Sequence, residues 1–223
     1  MKHPHIDREY DNELKELRQE IMVMAGEVKK MIARAVQSFI SMDTSLANGV
    51  TALEYRVNQY EMDIDERCLS ILARRQPMAS DLRFITLGLK MVTDLERIGD
   101  EAVNICERVI DIGSHSLANF YPLISQMAEI AQSMIHDAIT AFIEKDAKLA
   151  KKVVTRDDEV DALYVEVINK LVDYMVKENV KQGFNALSIA KVLERMADHG
   201  TNIAEQVIFM VKGKDIRHSG ESS

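Results

Sequence analysis

Apolar residues recur at intervals of three and four along most of this chain, the spacing that places them on one face of an α-helix. Two long runs show this pattern, one from Val50 to Ile71 and one from Ile85 to Val109. Proline, which interrupts helices, occurs only at positions 4, 77 and 122. The pattern therefore predicts an all-α protein whose six helices span residues 10–42, 44–75, 79–111, 120–144, 147–178 and 184–212.

The chain also contains an internal repeat. The 20 residues from Met31 align without gaps on those from Met134, with nine identities at an offset of 103. The 13 residues from Leu95 match those from Leu193 with seven identities at an offset of 98. The offset changes between helices, where a turn tolerates a change of length. The sequence therefore predicts two tandem three-helix bundles, residues 1–115 and 116–223, each with up-and-down helices.

Composition narrows the classes of function. Acidic residues outnumber basic ones, 36 to 28, which gives a net charge of −8 and a pI near 5.3. This charge argues against nucleic-acid binding. The start of the chain is charged where a secretion signal would be apolar, and nowhere do 18 consecutive apolar residues occur. We therefore expect a soluble, cytoplasmic protein without a nucleic-acid partner.

Polar side chains with oxygen donors form a stripe on the last helix of each repeat. In each stripe two acids and one amide follow one another at intervals of four, which places all three on one helix face. The stripes consist of Glu96, Asp100 and Asn104 in the first repeat and of Glu194, Asp198 and Asn202 in the second.

The preceding helix of each repeat supplies residues that face these stripes. Across an antiparallel turn the position numbers of facing residues have a constant sum, so the pairing follows from the position of the turn. The predicted facing pairs are Glu54 with Asp100, Asn58 with Glu96, Asp157 with Asp198, and Asp161 with Glu194. Each half therefore brings two acidic or amide pairs to the same height on adjacent helices.

Carboxylates gathered at one height repel each other unless a cation lies between them. A set of oxygen donors suits hard ions such as Mg²⁺, Mn²⁺, Ca²⁺ or oxidised iron. We therefore predict a metal site in each half, built from the stripes and their facing residues. Two alternatives remain open: acids four apart are commonly solvated surface residues, or Arg97 and Arg195 neutralise them by ion pairing.

Three further polar residues rank below these candidates. Glu61 and Asp65 share the spacing of four, but the hairpin arithmetic places them opposite apolar or small residues. His199 follows Asp198 directly, so it points about 100° away from the stripe. We interpret His199 as a surface or supporting residue.

Several segments resemble the PhoU family of phosphate transport system accessory and regulatory proteins. The resembling segments are ILARRQPMASDLRFITLGLKMVTDLERIGDEAVNI, the second LERMADHGTNIAE and the tail VKGKDIRH. The most specific part of this resemblance is the motif RQPxASDLR followed by DLERIGD. The resemblance covers nearly the whole chain. Asn58 departs from the family pattern, which has a carboxylate there.

The resemblance implies two three-helix bundles, often in a homodimer, and facing E(D)xxxD motifs that bind multinuclear iron, zinc or other metal clusters; with the oxygen-donor chemistry this makes iron, zinc, manganese and magnesium the candidate metals. It also implies a non-enzymatic negative regulator of phosphate uptake and of the phosphate regulon. On this pattern the protein links the ATPase subunit of the phosphate ABC transporter to a sensor histidine kinase, and it reaches the membrane only through these partners. The competing hypotheses are a metal-dependent hydrolase that uses the clustered carboxylates and a purely structural bundle.

Overall fold

The computed structural model describes residues 4–113 and 120–213, and within these ranges the secondary structure is helical, without strands. The helices are α1 Pro4–Ser41, α2 Thr44–Asn48, α3 Thr51–Arg74, α4 Ala79–Ile112, α5 Tyr121–Glu144, α6 Ala147–Lys177 and α7 Val180–Lys212. The long helices α4, α5 and α6 begin and end within one residue of the predicted bounds. In the described ranges, none of the helices combines the length and the apolarity that crossing a bilayer requires.

Helices α1, α3 and α4 form the first bundle, and α5, α6 and α7 form the second. Both cores are mainly aliphatic, and Phe39 and Phe142 occupy equivalent buried positions in them. The two bundles pack together mainly through α4 and α7, with a smaller contact between α1 and α5. The predicted all-α fold with two tandem bundles is confirmed; the predicted boundary at residues 115 and 116 lies outside the described residues.

The repeat is visible in the turn that ends α1 and α5. Met42 and Lys145, equivalent at the offset of 103, both adopt a left-handed backbone, with φ of 51° and 56°. The aspartates that follow have an extended backbone and cap the next helix: Asp43 accepts from the amide of Ser45, and Asp146 from that of Lys148. The sequence match thus reflects a shared turn as well as a shared core.

The prediction of one helix over residues 44–75 is wrong. The chain forms the short helix α2, turns at Gly49 and Val50, and begins α3 at Thr51. In the second repeat the equivalent of Gly49 is Lys152, and α6 runs through it without a break. Glycine costs a helix about 1 kcal/mol relative to alanine, and the side chain of Val50 is fully buried at this turn.

The predicted start of the last helix at residue 184 is also wrong. α7 begins at Val180, and Asn179 caps it by accepting a hydrogen bond from the amide of Gln182. Gly183 therefore lies inside the helix, although its type suggested a turn. A β-carbon at this position would collide with the side chain of Met175 on α6. Glycine at this position leaves room for the side chain of Met175.

Helices α4 and α7 run antiparallel where the bundles meet. At the start of α4, the Arg83 guanidinium Nε donates to the carbonyl of Met210 near the end of α7, at 3.2 Å. Beside it, the ring of Phe84 stacks on that of Phe142 in α5, with centroids 5.3 Å apart. The acidic stripes of both repeats therefore lie on the two helices that form the junction.

Candidate metal centres

The first bundle gathers four carboxylates between α3 and α4, the first acidic cluster: Glu54, Glu61, Glu96 and Asp100. Burial and the charges of Asp100 and Glu61 raise the pKa of Glu96 to about 7, and the charge of Arg97 offsets only part of this. Burial and the charge of Asp100 also raise the pKa of Glu54. These carboxylates share a partly buried space in which their ionised forms repel one another.

Glu61 belongs to this cluster, so its low rank in the sequence analysis was wrong. Burial and the charges of Asp65 and Asp100 raise its pKa. Hairpin arithmetic pairs α-carbons at one height, but a glutamate side chain spans much of a helical turn and reaches the next level. Asn58 lies on the same face of α3, and its Oδ1 is buried without a hydrogen-bond partner among the described residues, as is the Oδ1 of Asp65.

The second bundle forms the second acidic cluster from Asp157 and Asp161 of α6 with Glu194 and Asp198 of α7. Burial and the charge of Asp198 raise the pKa of Asp157 to about 6, opposed by the nearby hydroxyl of Thr201. Burial and the charge of Glu194 raise the pKa of Asp198. The structure therefore brings these four predicted residues together.

A lysine, and not the predicted arginine, partly neutralises the second cluster. Lys191 Nζ donates to both carboxylate oxygens of Glu194, at 2.6 Å. Arg195 instead donates from Nη1 to Oε1 of Glu101 in the other bundle, at 3.1 Å. The ion-pairing alternative is therefore wrong for Arg195. The spacing of three between Lys191 and Glu194 is the sequence signal that identifies this contact.

The side chains of both clusters supply the oxygen atoms that hard cations prefer, but these atoms are not arranged around a common point. Within the described ranges, no three carboxylate, imidazole or thiolate side chains surround a point that one metal ion could occupy. The carboxylates nevertheless repel one another, and the oxygens of Asn58 and Asp65 are buried and unpartnered in the described part of the chain. Binding would require the carboxylate ends to turn inward, which their partial exposure permits.

The predicted ligands Asn104 and Asn202 lie elsewhere. Each step of four residues turns about 40° around a helix, so an eight-residue stripe drifts by about 80°. Both amides line a pocket of about 390 Å³ between α4 and α7, the central pocket. Its walls are Arg97, Asp100, Glu101 and Asn104 from α4, with Arg195, Asp198, His199 and Asn202 from α7.

Buried polar contacts hold the junction around this pocket. Asn104 Nδ2 donates to Oε2 of Glu101 at 2.9 Å. His199 Nδ1 lies 3.0 Å from Oδ1 of Asp94, and Gln206 Nε2 donates to the other oxygen of Asp94 at 3.1 Å. His199 is therefore mostly buried against α4 rather than exposed. Spacing within one hairpin contains no signal for these contacts, because they depend on how the two bundles meet.

Comparison with known protein families gives one match in each repeat. The family model described as the PhoU domain matches residues 21–109 and 124–207. Among curated proteins, the phosphate-specific transport system accessory protein PhoU homolog of Pseudomonas putida is 39% identical over 219 residues, covering 97% of this chain and 86% of that protein. The accessory protein PhoU of Escherichia coli K12 is 33% identical over 218 residues, covering 97% and 90%.

Solved structures show the same architecture. The crystal structure of PhoU from Pseudomonas aeruginosa superposes with a TM-score of 0.89 at 38% identity, covering 92% of this chain and all of that chain. The phosphate transport system regulatory protein PhoU from Streptococcus pneumoniae gives a TM-score of 0.87 at 28% identity, covering 92% and 98%.

Proposed function

Because this chain belongs to the PhoU family, we propose that it is a cytoplasmic negative regulator of phosphate uptake and of the phosphate regulon. In this proposal it acts as an adaptor between the ATPase subunit of the phosphate ABC transporter and the sensor histidine kinase of the regulon. The observation that carries the proposal is similarity over nearly the whole chain to proteins named accessory proteins of phosphate-specific transport.

The surface of the bundles supports an adaptor that binds other proteins. Large hydrophobic side chains are exposed at intervals of seven on α3, at Tyr55, Met62 and Leu69, and on α6, at Val165 and Val172. Met62 and Leu69 are the repeat equivalents of Val165 and Val172 at the offset of 103. Side chains at intervals of seven form a ridge along one helix face, and such ridges pack against partner helices. We therefore expect each repeat to contact a partner protein through this ridge.

The regulatory proposal is tested in a deletion strain grown in phosphate-rich medium. We expect the phosphate-starvation genes to stay on in this strain and to be repressed again when the wild-type gene is restored. Normal repression in the deletion strain would contradict the proposal. Affinity purification of the tagged protein should recover the transporter ATPase and the sensor kinase, and a variant with Met62 and Leu69 replaced by Ser should recover less of them.

We also propose that both acidic clusters bind divalent or trivalent cations, with iron, zinc, manganese and magnesium as the candidates. The support is that burial and the charges of neighbouring carboxylates raise the pKa of Glu96 to about 7 and that of Asp157 to about 6. A bound cation supplies the positive charge that these carboxylates lack. The residues that we expect to hold it are Glu54, Glu96 and Asp100 in the first cluster and Asp157, Asp161, Glu194 and Asp198 in the second.

Elemental analysis of protein purified without chelator tests this proposal. Glu54→Gln with Asp100→Asn should remove metal from the first cluster only, and Glu194→Gln with Asp198→Asn from the second only. Both variants keep side-chain volume and lower the repulsion, so they should remain folded and lose the stabilisation that metal gives the wild type. Wild-type protein with neither bound metal nor a change in melting temperature on adding chelator would contradict metal binding.

A further inference from the structure

Two large apolar side chains at the start of α7 are exposed to solvent. Val180 is 66% exposed and Phe184 is 60% exposed, and both lie on one side of α7 because they are four residues apart. Of the six phenylalanines in the chain, four are buried and Phe209 packs partly buried against the core, so Phe184 is unusual. Leu187 continues the same side of the helix. Adjoining exposed apolar side chains mark interaction sites, whereas single ones are common on protein surfaces.

The same side of α7 leads into a pocket that is lined by cations. This cationic pocket, of about 400 Å³, lies between α4, α6 and α7. Its wall residues include Arg108 of α4, Tyr164 of α6, and Leu187, Lys191 and Arg195 of α7. No carboxylate is among its described wall residues. Lys191 and Arg195 lie about 10 Å and about 16 Å beyond Phe184 along the helix, which corresponds to two and three turns.

The two arginines of the cationic pocket have carboxylate partners but keep donors for another. Arg195 Nη1 donates to Glu101 at 3.1 Å. Arg108 lies 2.9 Å from Asp111 through Nη1 and 3.7 Å from Glu107 through Nη2. A guanidinium group carries five N–H donors in a planar fork, and the side chains of Arg195 and Arg108 are 55% and 34% exposed. A further carboxylate can therefore approach both arginines from solvent without displacing their internal partners.

The first repeat lacks this surface, so the fold itself does not require it. Three residues of the surface have polar, uncharged equivalents at the offset of 98: Thr86 for Phe184, Thr93 for Lys191 and Gln206 for Arg108. The exposed phenylalanine and the cations beside it are therefore specific to the second repeat. A surface that only served the packing of the bundles would be expected in both repeats.

We infer that the exposed side of α7 from Val180 to Leu187 and the adjoining cationic pocket bind an acidic amphipathic helix of a partner protein. The partner helix places an apolar side chain on Phe184 and Asp or Glu residues two to three turns further along, in the pocket. The concave pocket favours a helix over a flat lipid surface, because its cations are recessed between three helices. This inference rests on the proposed adaptor function and names the chemistry of a segment that the adaptor recognises.

Fluorescence anisotropy of a labelled synthetic helix tests the inference on the full chain. The peptide has about 18 residues, which span about 27 Å as a helix. It carries leucines at intervals of three and four on one face and three glutamates near one end, and its twin carries glutamines in place of these glutamates. Both peptides are titrated with the wild type and with the variants Val180→Ser, Phe184→Ser and Arg108→Gln.

Two matched control variants change similar side chains elsewhere. Met22→Ser removes an exposed apolar side chain on α1, and Arg74→Gln removes an exposed arginine on α3 that is ion-paired with Glu13. Circular dichroism compares the helical content of all variants. Val180→Ser and Phe184→Ser test the same surface at two independent positions.

We expect the wild type to bind the acidic peptide about tenfold more tightly than its twin, with a smaller difference at high salt. Phe184→Ser should weaken both peptides about tenfold, as the loss of an apolar anchor does, and Val180→Ser should weaken both to a smaller extent. Arg108→Gln should weaken the acidic peptide alone, and the two controls should bind both peptides as the wild type does.

The inference is overturned if the wild type binds neither peptide or binds both equally. It is also overturned if Phe184→Ser and Val180→Ser bind like the wild type. Cosedimentation with phosphatidylcholine and phosphatidylglycerol vesicles that Phe184→Ser abolishes would assign the surface to lipid, and a wild-type dimer that Phe184→Ser dissociates would assign it to a second copy; either result overturns the inference. These measurements use neither the transporter ATPase nor the sensor kinase, so their failure would leave the adaptor proposal to its own test in the deletion strain.

Discussion

Replacing Glu96 by Gln should stabilise the metal-free protein near neutral pH and leave it almost unchanged in acid. The pKa of Glu96 is about 7 in the folded protein against an ordinary value of 4.5. The folded state therefore holds this proton more tightly than the unfolded state does. Its contribution to stability is complete below the ordinary pKa and is lost as the pH rises through about 7. Glutamine stays neutral throughout and avoids this loss.

The magnitude follows from the size of the pKa difference. A pKa change of one corresponds to about 1.4 kcal/mol, so the full difference would be worth about 3 kcal/mol. Glu96 is only partly buried, and solvent screening reduces the expected gain to about 1 kcal/mol above pH 7. Urea is the suitable denaturant, because guanidinium salts would screen the repulsion being measured.

The assay is urea unfolding followed by circular dichroism, in chelator, at about pH 4.5, 6 and 7.5. Glu129→Gln is the matched control, because Glu129 is exposed on α5 and lies in neither cluster. The stability of the wild type should fall relative to Glu96→Gln as the pH rises, and the control should follow the wild type. Parallel curves for the wild type and Glu96→Gln would show that neither burial nor the neighbouring carboxylates disfavour the ionised form of Glu96 in the folded protein.

Three further outcomes follow from the same structure. Metal uptake by chelator-treated protein should release protons below about pH 7, since bound cations displace the proton that Glu96 holds. Calorimetry in buffers of different ionisation enthalpy measures this proton release, and a binding enthalpy that does not depend on the buffer would contradict it. Glu101→Gln should destabilise the protein by about 1 to 3 kcal/mol, because it weakens the contact with Arg195 at a buried position. A double-mutant cycle with Arg195→Gln isolates that contact, and a coupling energy of zero would refute its contribution to stability. Gly183→Ala should cost about 1 to 3 kcal/mol through collision with Met175. In urea unfolding the same substitution should cost less in a Met175→Ala background, and an equal cost in both backgrounds would contradict the collision.

The sequence predicted most of the fold because the signals it uses are local. Long helices and their order follow from the spacings of three and four, from the aligned repeats, and from prolines that occur only in a turn or in the first turn of a helix. α1 begins at Pro4 and not at the predicted residue 10, and the errors around α3 and α7 occur where a glycine has more than one explanation. Gly49 ends a helix in one repeat, whereas Gly183 lies within α7 because Met175 packs against it. Residue type alone does not distinguish a turn from a close helix contact.

The contacts of the candidate site that form within one helical hairpin were predicted from the sequence. The pairs Glu54 with Asp100 and Asp157 with Asp198 lie close enough for their charges to interact. Contacts between hairpins have no equivalent rule, so the pairing of Arg195 with Glu101 in the other bundle could not be predicted. Whether the clusters bind metal stays a prediction that the tests above address.

The two clusters occupy equivalent helix positions, but different neighbouring side chains offset their negative charge. Lys191 pairs with Glu194 in the second cluster, and its repeat equivalent in the first is Thr93, which carries no charge. In the first cluster the Arg97 guanidinium offsets only part of the rise in the pKa of Glu96. A cation entering the second cluster must compete with the lysine for Glu194. The repeats thus share most of their carboxylate positions, although Asn58 stands where the second repeat has Asp161. Because no lysine competes in the first cluster, we expect it to bind cations more strongly than the second.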